Sequence, residues 1–302
     1  GGTKVKRRNG SGTRWWERSP HNFIDSSSYF CSIFESGGAD GNGASNSYGA
    51  APCFCLGSTT YAATTTVPSG TQIQAGINGL SAAEIKKIAN AISANSGITN
   101  ETSVCYIDTG AGYYTVSIGD LISWNMDGTM YPYRIMGFNH YDKADDSGKS
   151  GILFQMLDCF NKKYPMKSSP SMAIDDGWYN SDLRTTLNST LYEYLPSDVQ
   201  SAISQVTIKT AQDVSTSTII TTDDKLFVPA EVEVFGSAPS AMGGTNEGVW
   251  YPWYKANDQQ VKHINWTAVS WWERSPHGWD SYFTHADFCV VSAGGFNNYG
   301  SG

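Results

Sequence analysis

Two acidic pairs, Asp145-Asp146 and Asp175-Asp176, three lone histidines (His140, His277 and His285) and six cysteines are the residues whose types could do chemistry in this chain. Paired carboxylates can pass a proton or hold calcium through oxygen ligands. Both pairs lie in Ser- and Gly-rich stretches, and neither has a third ligand or a base at a spacing that would complete a site. The three histidines read as surface or capping residues. No Ser-His-Asp order and no glycine-rich phosphate loop is recognisable. Cys31 and Cys289 fall inside apolar, strand-like runs, Cys105 and Cys159 are isolated, and Cys53 and Cys55 are two apart. On a strand that last pair points the same way, with Cα atoms near the upper limit for a disulfide. No zinc spacing is present. The cysteines therefore read as small buried side chains in a protein that folds in a reducing cytoplasm. No catalytic residue, metal site or cofactor is assigned, and the chain reads as non-enzymatic.

The elements that would position any site are marked by a repeat. The segment WWERSPH occurs at residues 15–21 and again at 271–277, an offset of 256 that also carries Val5-Lys6-Arg7-Arg8-Asn9 onto Val261-Lys262-His263-Ile264-Asn265. Downstream, Phe30-Cys31-Ser32-Ile33 answers Phe288-Cys289-Val290-Val291 at an offset of 258, because the second copy carries two extra residues. Copy one runs on through Ser45-Asn46-Ser47-Tyr48-Gly49 to Phe54-Cys55-Leu56. A period of this length means tandem domains rather than a solenoid. Residues 1–56 are thus the C-terminal part of a first module, 57–110 a linker with a short helix, and 111–302 a second, nearly complete module.

Composition narrows the class. Aromatic residues make up 13% of the 302, charged residues only 16%, and there are 31 glycines, which suits short strands and long loops built around large rings. A net charge of −8 excludes a phosphate-binding surface, so no nucleic acid is expected as a partner. No stretch approaches the ~20 apolar residues of a membrane span, so no membrane insertion is expected.

Local signals place the elements. Residues 57–79, rich in Ser, Thr, Ala and Gly, read as an extended linker. Ser81 followed by Glu84 is a capping box, Ile85, Ile88, Ala89 and Ile92 share one helical face, and Asn95-Ser96-Gly97 stops the helix. A strand over 113–118 precedes a hairpin, 121–126 and 130–138, around Asp127-Gly128. Residues 152–158 read as a buried strand, 178–188 as a capped helix start and 197–206 as a second short helix. Residues 225–235 read as a strand in which Glu231 and Glu233, alternating with Val232 and Val234, suit a half-exposed edge. The sum is an α+β fold.

In order, these residues are Trp178-Tyr179-Asn180-Ser181-Asp182-Leu183-Arg184-Thr185-Thr186-Leu187-Asn188, Lys225-Leu226-Phe227 with glutamates a few residues on, the WWERSP element, an aromatic-Cys strand and Ser-Asn-Ser-Tyr-Gly. The series resembles the DUF6273 domain of gut Firmicutes and their phages, over essentially the whole chain. The resemblance implies a C-type-lectin-like fold with short strands, few short helices and long loops, in tandem. It implies no settled activity. Related folds serve as receptor-binding tips on phage tails. Formylglycine-generating relatives need a reactive cysteine pair, and calcium-dependent sugar binding needs Glu-Pro-Asn or Trp-Asn-Asp, none of which this chain supplies.

Within the motif, adjacent tryptophans on a strand face opposite sides, Glu273 and Arg274 hold backbone or ion partners, and Pro276 ends the strand. The motif is scaffold. The loops that follow it differ between copies, and they are the candidate ligand-binding residues: Trp279, Asp280, Tyr282 and His285 with Phe296, Asn297 and Tyr299 in copy two, and Asn22, Phe23, Asp25 and Tyr29 in copy one. Rigid rings beside adaptable Asn, Asp and Ser are what a binding surface uses; unconstrained drift of surface loops is the other explanation. The expectation is a phage virion protein, of the tail or surface, located on the virion or at an extracellular surface. Its partners would be a host cell-surface glycan or protein receptor, and other copies of itself or virion proteins. A purely structural filament or capsid-decoration protein, a bacterial cell-surface adhesin and, less well supported, a cell-wall-modifying enzyme are the alternatives.

Overall fold

The computed structural model describes residues 61–168, 177–277 and 287–301, apart from 68, 70–72, 75 and 111. Before residue 61 it describes short strands from Lys6 to Leu56, and among their side chains only that of Phe54. The architecture is α+β, with short helices set among antiparallel sheets.

The central sheet has five strands in the order Leu121–Met126, Thr129–Phe138, Ile152–Met156, Cys53–Leu56 and Ile203–Ser204. Its hairpin turns on Asp127 (φ 51°) and Gly128 (φ 77°), two left-handed residues whose twist matches that of the flanking strands. Alternate residues of Leu121–Met126 are buried, whereas every residue of Ile152–Met156 is, because that strand lies inside the sheet with both faces covered. Cys53–Leu56 comes from the end of the first sequence copy yet sits between Ile152–Met156 and Ile203–Ser204. Its Phe54 packs at 5.3–5.7 Å against Trp124, Tyr133 and Phe154. Tyr48–Gly49 likewise pairs with the second motif strand at Ser270 and Trp271.

The second motif strand, Thr267–Pro276, belongs to a sheet ordered Lys262–Ile264, Thr267–Pro276, Asp287–Val291 and Asn297–Ser301. The first copy repeats this pairing residue for residue. Lys6↔Thr13 and Arg8↔Ser11 match Lys262↔Val269 and Ile264↔Thr267 at an offset of 256. Trp15↔Ile33 matches Trp271↔Val291, and Ile33↔Ala39 matches Val291↔Asn297, with 258 on the later strands. The register shift between Trp16 and Pro20 recurs between Trp272 and Pro276. At the hairpin of the second copy, Asn265 (φ 50°) and Trp266 (φ 68°) both take the left-handed conformation. In the first copy the sequence there is Asn9-Gly10. A tryptophan in place of glycine at such a position costs roughly 1–2 kcal/mol.

The capped helix forms as Ala82–Ala94, with Ser81 Oγ accepting from Glu84 N, and Ile85, Ile88, Ala89 and Ile92 are buried. The Glu84 carboxylate does not close a capping box; it accepts from Tyr61 Oη at 2.5 Å and Lys87 Nζ at 3.1 Å. The stretch read as linker contributes the strands Ala62–Thr64 and Ile73–Gln74 to a small sheet with Val104–Asp108 and Tyr113–Ser117. The helix over 197–206 is shorter than its pattern suggested. It ends at Ala202, and Val206–Asp213 pairs with Thr216–Asp224 in a hairpin that the sequence reading missed.

The largest correction concerns residues 225–235. Glu231–Phe235 is a helix, and Glu231 and Glu233 are fully buried rather than on a half-exposed edge. Two turns of sequence cannot separate period 2 from period 3.6, and the glutamates are interior because an arginine waits for one of them. No helix among the described residues is long and apolar enough to cross a membrane.

Candidate binding site

The motif strand runs into a buried charge network. Arg274 is fully buried, and its guanidinium meets Glu233 in a two-pronged ion pair, Nη1 to Oε2 at 2.7 Å and Nη2 to Oε1 at 2.8 Å. Its other donors reach the carbonyls of Val228 (3.0 Å), Glu247 (2.9 Å) and Lys209 (3.1 Å). All five N–H groups of the fork are thereby used. Glu233 also accepts from Tyr141 Oη and from the backbone N–H of Ala230. Burial alone would raise the Glu233 carboxyl, but Arg274 and His140 outweigh it and hold it at about 2. Gly248 lets the chain pass this site, since a Cβ there would lie 2.3 Å from Glu233 Oε1.

Around this pair, Ser275 Oγ donates to Glu247 Oε2 and accepts from Glu231 N, while Glu247 Oε1 accepts from Ala211 N at 2.7 Å. Trp271 and Trp272 are both buried, their indole N–H groups donating to Gln260 O at 2.9 Å and Tyr164 O at 3.0 Å. The upstream element serves the same end. Ser181 Oγ caps Arg184 N, and Asp224 accepts from Arg184 Nε at 2.7 Å and Trp178 Nε1 at 3.0 Å. Asn188 Oδ1 accepts from the N–H groups of Lys225 and Leu226. Most of the described polar side chains of these elements are thus spent on holding chain to chain, and one buried carboxylate is not.

That carboxylate is Glu273, whose two oxygens are buried with no hydrogen-bond partner. Burial, then the nearby Glu231, Glu247 and Glu233, push its carboxyl well above the usual range, and burial raises Glu247 as well. A group raised in the folded state contributes stability that is present below its unfolded value of 4.5 and lost as pH rises through its folded value. Glu233, depressed, gives the opposite slope below 4.5. The network's contribution should therefore peak near pH 4.5. Glu273→Met should raise stability at pH 7 by about 1–3 kcal/mol, the cost of an unmade buried polar contact. It should also flatten the decline above pH 4.5; thermal unfolding from pH 4 to 8 measures both.

Of the residues expected to bind ligand, Asn297 and Tyr299 lie on the strand that flanks the aromatic-Cys strand, and Phe296 immediately precedes it. Phe296 is 50% and Tyr299 39% exposed, and the Tyr299 ring lies 4.1 Å from that of His277. Asn297 donates through Nδ2 to buried Glu231, which ties this edge to the network. Trp279, Asp280, Tyr282, His285, Asn22, Phe23 and Asp25 lie outside the described residues, as does the side chain of Tyr29. His140 is not a surface residue. Its side chain is 2% exposed, Nδ1 meets Asn100 Oδ1 at 2.6 Å, and the ring packs on Tyr141 and Tyr251. Asp145 accepts from Ser147 N within its own turn, and Asp175-Asp176 lies outside the described residues.

One concave surface was not foreseen. A cleft of about 280 Å³ opens between the central sheet, the helix Pro252–Asn257 and the hairpin Lys262–Ile264/Thr267–Pro276. Arg134, Gln155, Asp158, Trp253, His263 and Trp266 line it. The one sequence signal for it was Trp266, a bulky ring where the first copy has Gly10.

Fold and network together define an α+β domain whose repeated motif clamps a short acidic helix. Residues 157–301 match the family described as a domain of unknown function, DUF6273, and the chain carries a domain of that family. No curated protein and no solved structure matches the chain.

Proposed function

We propose that the chain is a non-enzymatic virion protein of a bacteriophage, of the tail or particle surface. Its tandem C-type-lectin-like modules would present variable loops to a receptor on the host cell. One observation carries this reading. The two motif copies keep the same strand register over residues 6–42 and 262–300, while the residues at the strand ends differ between them. A backbone held constant under changing loops is the arrangement of a binding scaffold. The described polar groups of the motif are buried inside the fold, and all but Glu273 are engaged there, which leaves the flanking loops, with half-exposed Phe296 and Tyr299, as the surface for contact. The partner class is a cell-surface glycan or protein, and the location an extracellular or virion surface.

Purified protein should sediment with intact gut Firmicutes cells and release no soluble fragments from their walls. Released fragments would instead identify a wall-modifying enzyme. Failure to bind any cell, together with self-assembly, would favour the filament or decoration protein.

A further inference from the structure

We propose that the cleft under Trp266 is a second, distinct binding site, for a sugar that carries a carboxylate. It lies by the Lys262–Ile264 edge of the motif sheet, whereas Phe296 and Tyr299 lie by the opposite edge. It therefore does not depend on the loop surface proposed above.

The case begins with donors that have nothing to donate to. Arg134 and Gln155 face each other across the pairing of Thr129–Phe138 with Ile152–Met156, so both side chains leave the same face of the sheet, towards the cleft. Gln155 is 1% exposed. Its Oε1 accepts from Tyr254 Oη at 2.7 Å, which fixes the amide and leaves buried Nε2 without a partner. The Nε of Arg134 is likewise buried and unpartnered, and so is the indole Nε1 of Trp253. The rings are held in place too. The Arg134 guanidinium lies 4.1 Å from the Trp253 ring centroid, and Gly119 backs that ring so closely that a Cβ would fall 2.4 Å from it.

Three unsatisfied buried donors around one space are rare in a folded protein, where nearly all such groups are paired. What they require is an acceptor. Burial also disfavours the charge on Arg134, so an anion that pairs with the guanidinium satisfies hydrogen bonding and charge together. The wall opposite carries one carboxylate of its own, Asp158, whose charge partly offsets the burial of Arg134. Asp158 Oδ1 is taken by His263, through the backbone N–H at 2.9 Å and Nδ1 at 2.8 Å. Lys262 Nζ is engaged by the carbonyls of Met156 and Leu157.

The aromatic residues select the body of the ligand. Trp266 stands 60% exposed at the rim, in a left-handed conformation that glycine would adopt without strain. A flat ring there, with Trp253 inside, offers stacking faces for the C–H surface of a pyranose. The volume lies at the small end of ligand sites and suits one or two sugar rings.

The test is titration of the full chain with glucuronate and N-acetylneuraminate, read by tryptophan fluorescence and calorimetry. Glucose, glucose 6-phosphate and acetate serve as controls. The carboxylated sugars should bind at least tenfold more tightly than glucose or acetate. Arg134→Leu should remove that preference. Trp266→Gly should weaken binding severalfold while raising the thermal midpoint, since it restores the residue the turn favours. Gln155→Glu places a carboxylate beside Arg134; it should abolish binding and raise the thermal midpoint, so lost affinity cannot be mistaken for unfolding. No saturable binding of either acid, equal affinity for glucose, or tighter binding of glucose 6-phosphate would each overturn the assignment. Normal binding by Gln155→Glu would overturn it as well. Cell sedimentation that survives Gln155→Glu but not loss of Phe296 and Tyr299 would show the two surfaces to be separate.

Discussion

Replacing Arg274 with alanine should cost about 3–5 kcal/mol, a large part of the ~5–15 kcal/mol that holds an ordinary domain together. The cost lies in what is left behind more than in the attraction lost. Glu233 would remain fully buried without its partner, and the carbonyls of Val228, Lys209 and Glu247 would lose their donor. Replacing both charged partners by apolar residues often restores stability when an ion pair is isolated. Here Arg274→Met with Glu233→Met should recover only part of the loss, because both side chains also serve the backbone and Tyr141 Oη. Urea unfolding of the two single variants and the double variant, taken as a cycle, measures this directly. Full rescue by the double change would show that the network is a simple ion pair. Lysine at 274 should fare little better than alanine, since a point charge cannot engage both Glu233 oxygens and three carbonyls.

The parts of the fold that were legible in the sequence are those specified locally. Ser81 and the spacing of Ile85, Ile88 and Ile92 place a helix with no help from elsewhere, and Asp127-Gly128 places a hairpin. The repeat itself was legible down to its two offsets, and the strand pairing obeys both. Glu231–Phe235 was not legible, because its burial depends on Arg274, about forty residues further along the chain. Charged residues on an alternating pattern read as surface until the partner that neutralises them is known. His140 was misplaced for the same reason, since its neighbours Asn100, Tyr251 and Glu233 come from three distant segments. The insertion of Cys53–Leu56 between strands some 100 and 150 residues away was equally beyond local signals.

For the candidate sites the division runs along the same line. Phe296 and Tyr299 are half-exposed, as a comparison of the two copies suggested, and Asn297 turned out to be tied to the scaffold through Glu231. The cleft is built from Arg134, Gln155, Trp253 and Trp266, four residues from four separate elements, and no spacing in sequence joins them. Comparison of copies did contain a clue, because Trp266 breaks a turn preference that Asn9-Gly10 obeys. A residue that violates its local rule without local gain points to a role beyond the turn.

Trp271→Ala should also unfold the domain, at a cost of roughly 3–5 kcal/mol for a buried ring. Trp271 is completely buried; its indole donates to Gln260 O, and its strand is paired on one side by Lys262–Ile264 and on the other by Asp287–Val291. Its removal would open a void in the wall shared by both strands and orphan the Gln260 carbonyl. Trp279 and Tyr282 follow the same motif, but at positions where the first copy carries Phe23 and Ser26 or nearby small residues. Positions that differ between copies beside a fixed motif are the ones a binding scaffold varies. Trp279→Ala with Tyr282→Ala should therefore abolish cell binding, as loss of central interface rings worth ~2 kcal/mol each does, while the thermal midpoint stays near its original value. Parallel thermal melts and cell-sedimentation assays of the two variants separate scaffold from site. A stable Trp271→Ala beside an unfolded Trp279→Ala would mean that these roles are exchanged, and with them the face this protein turns towards its partner.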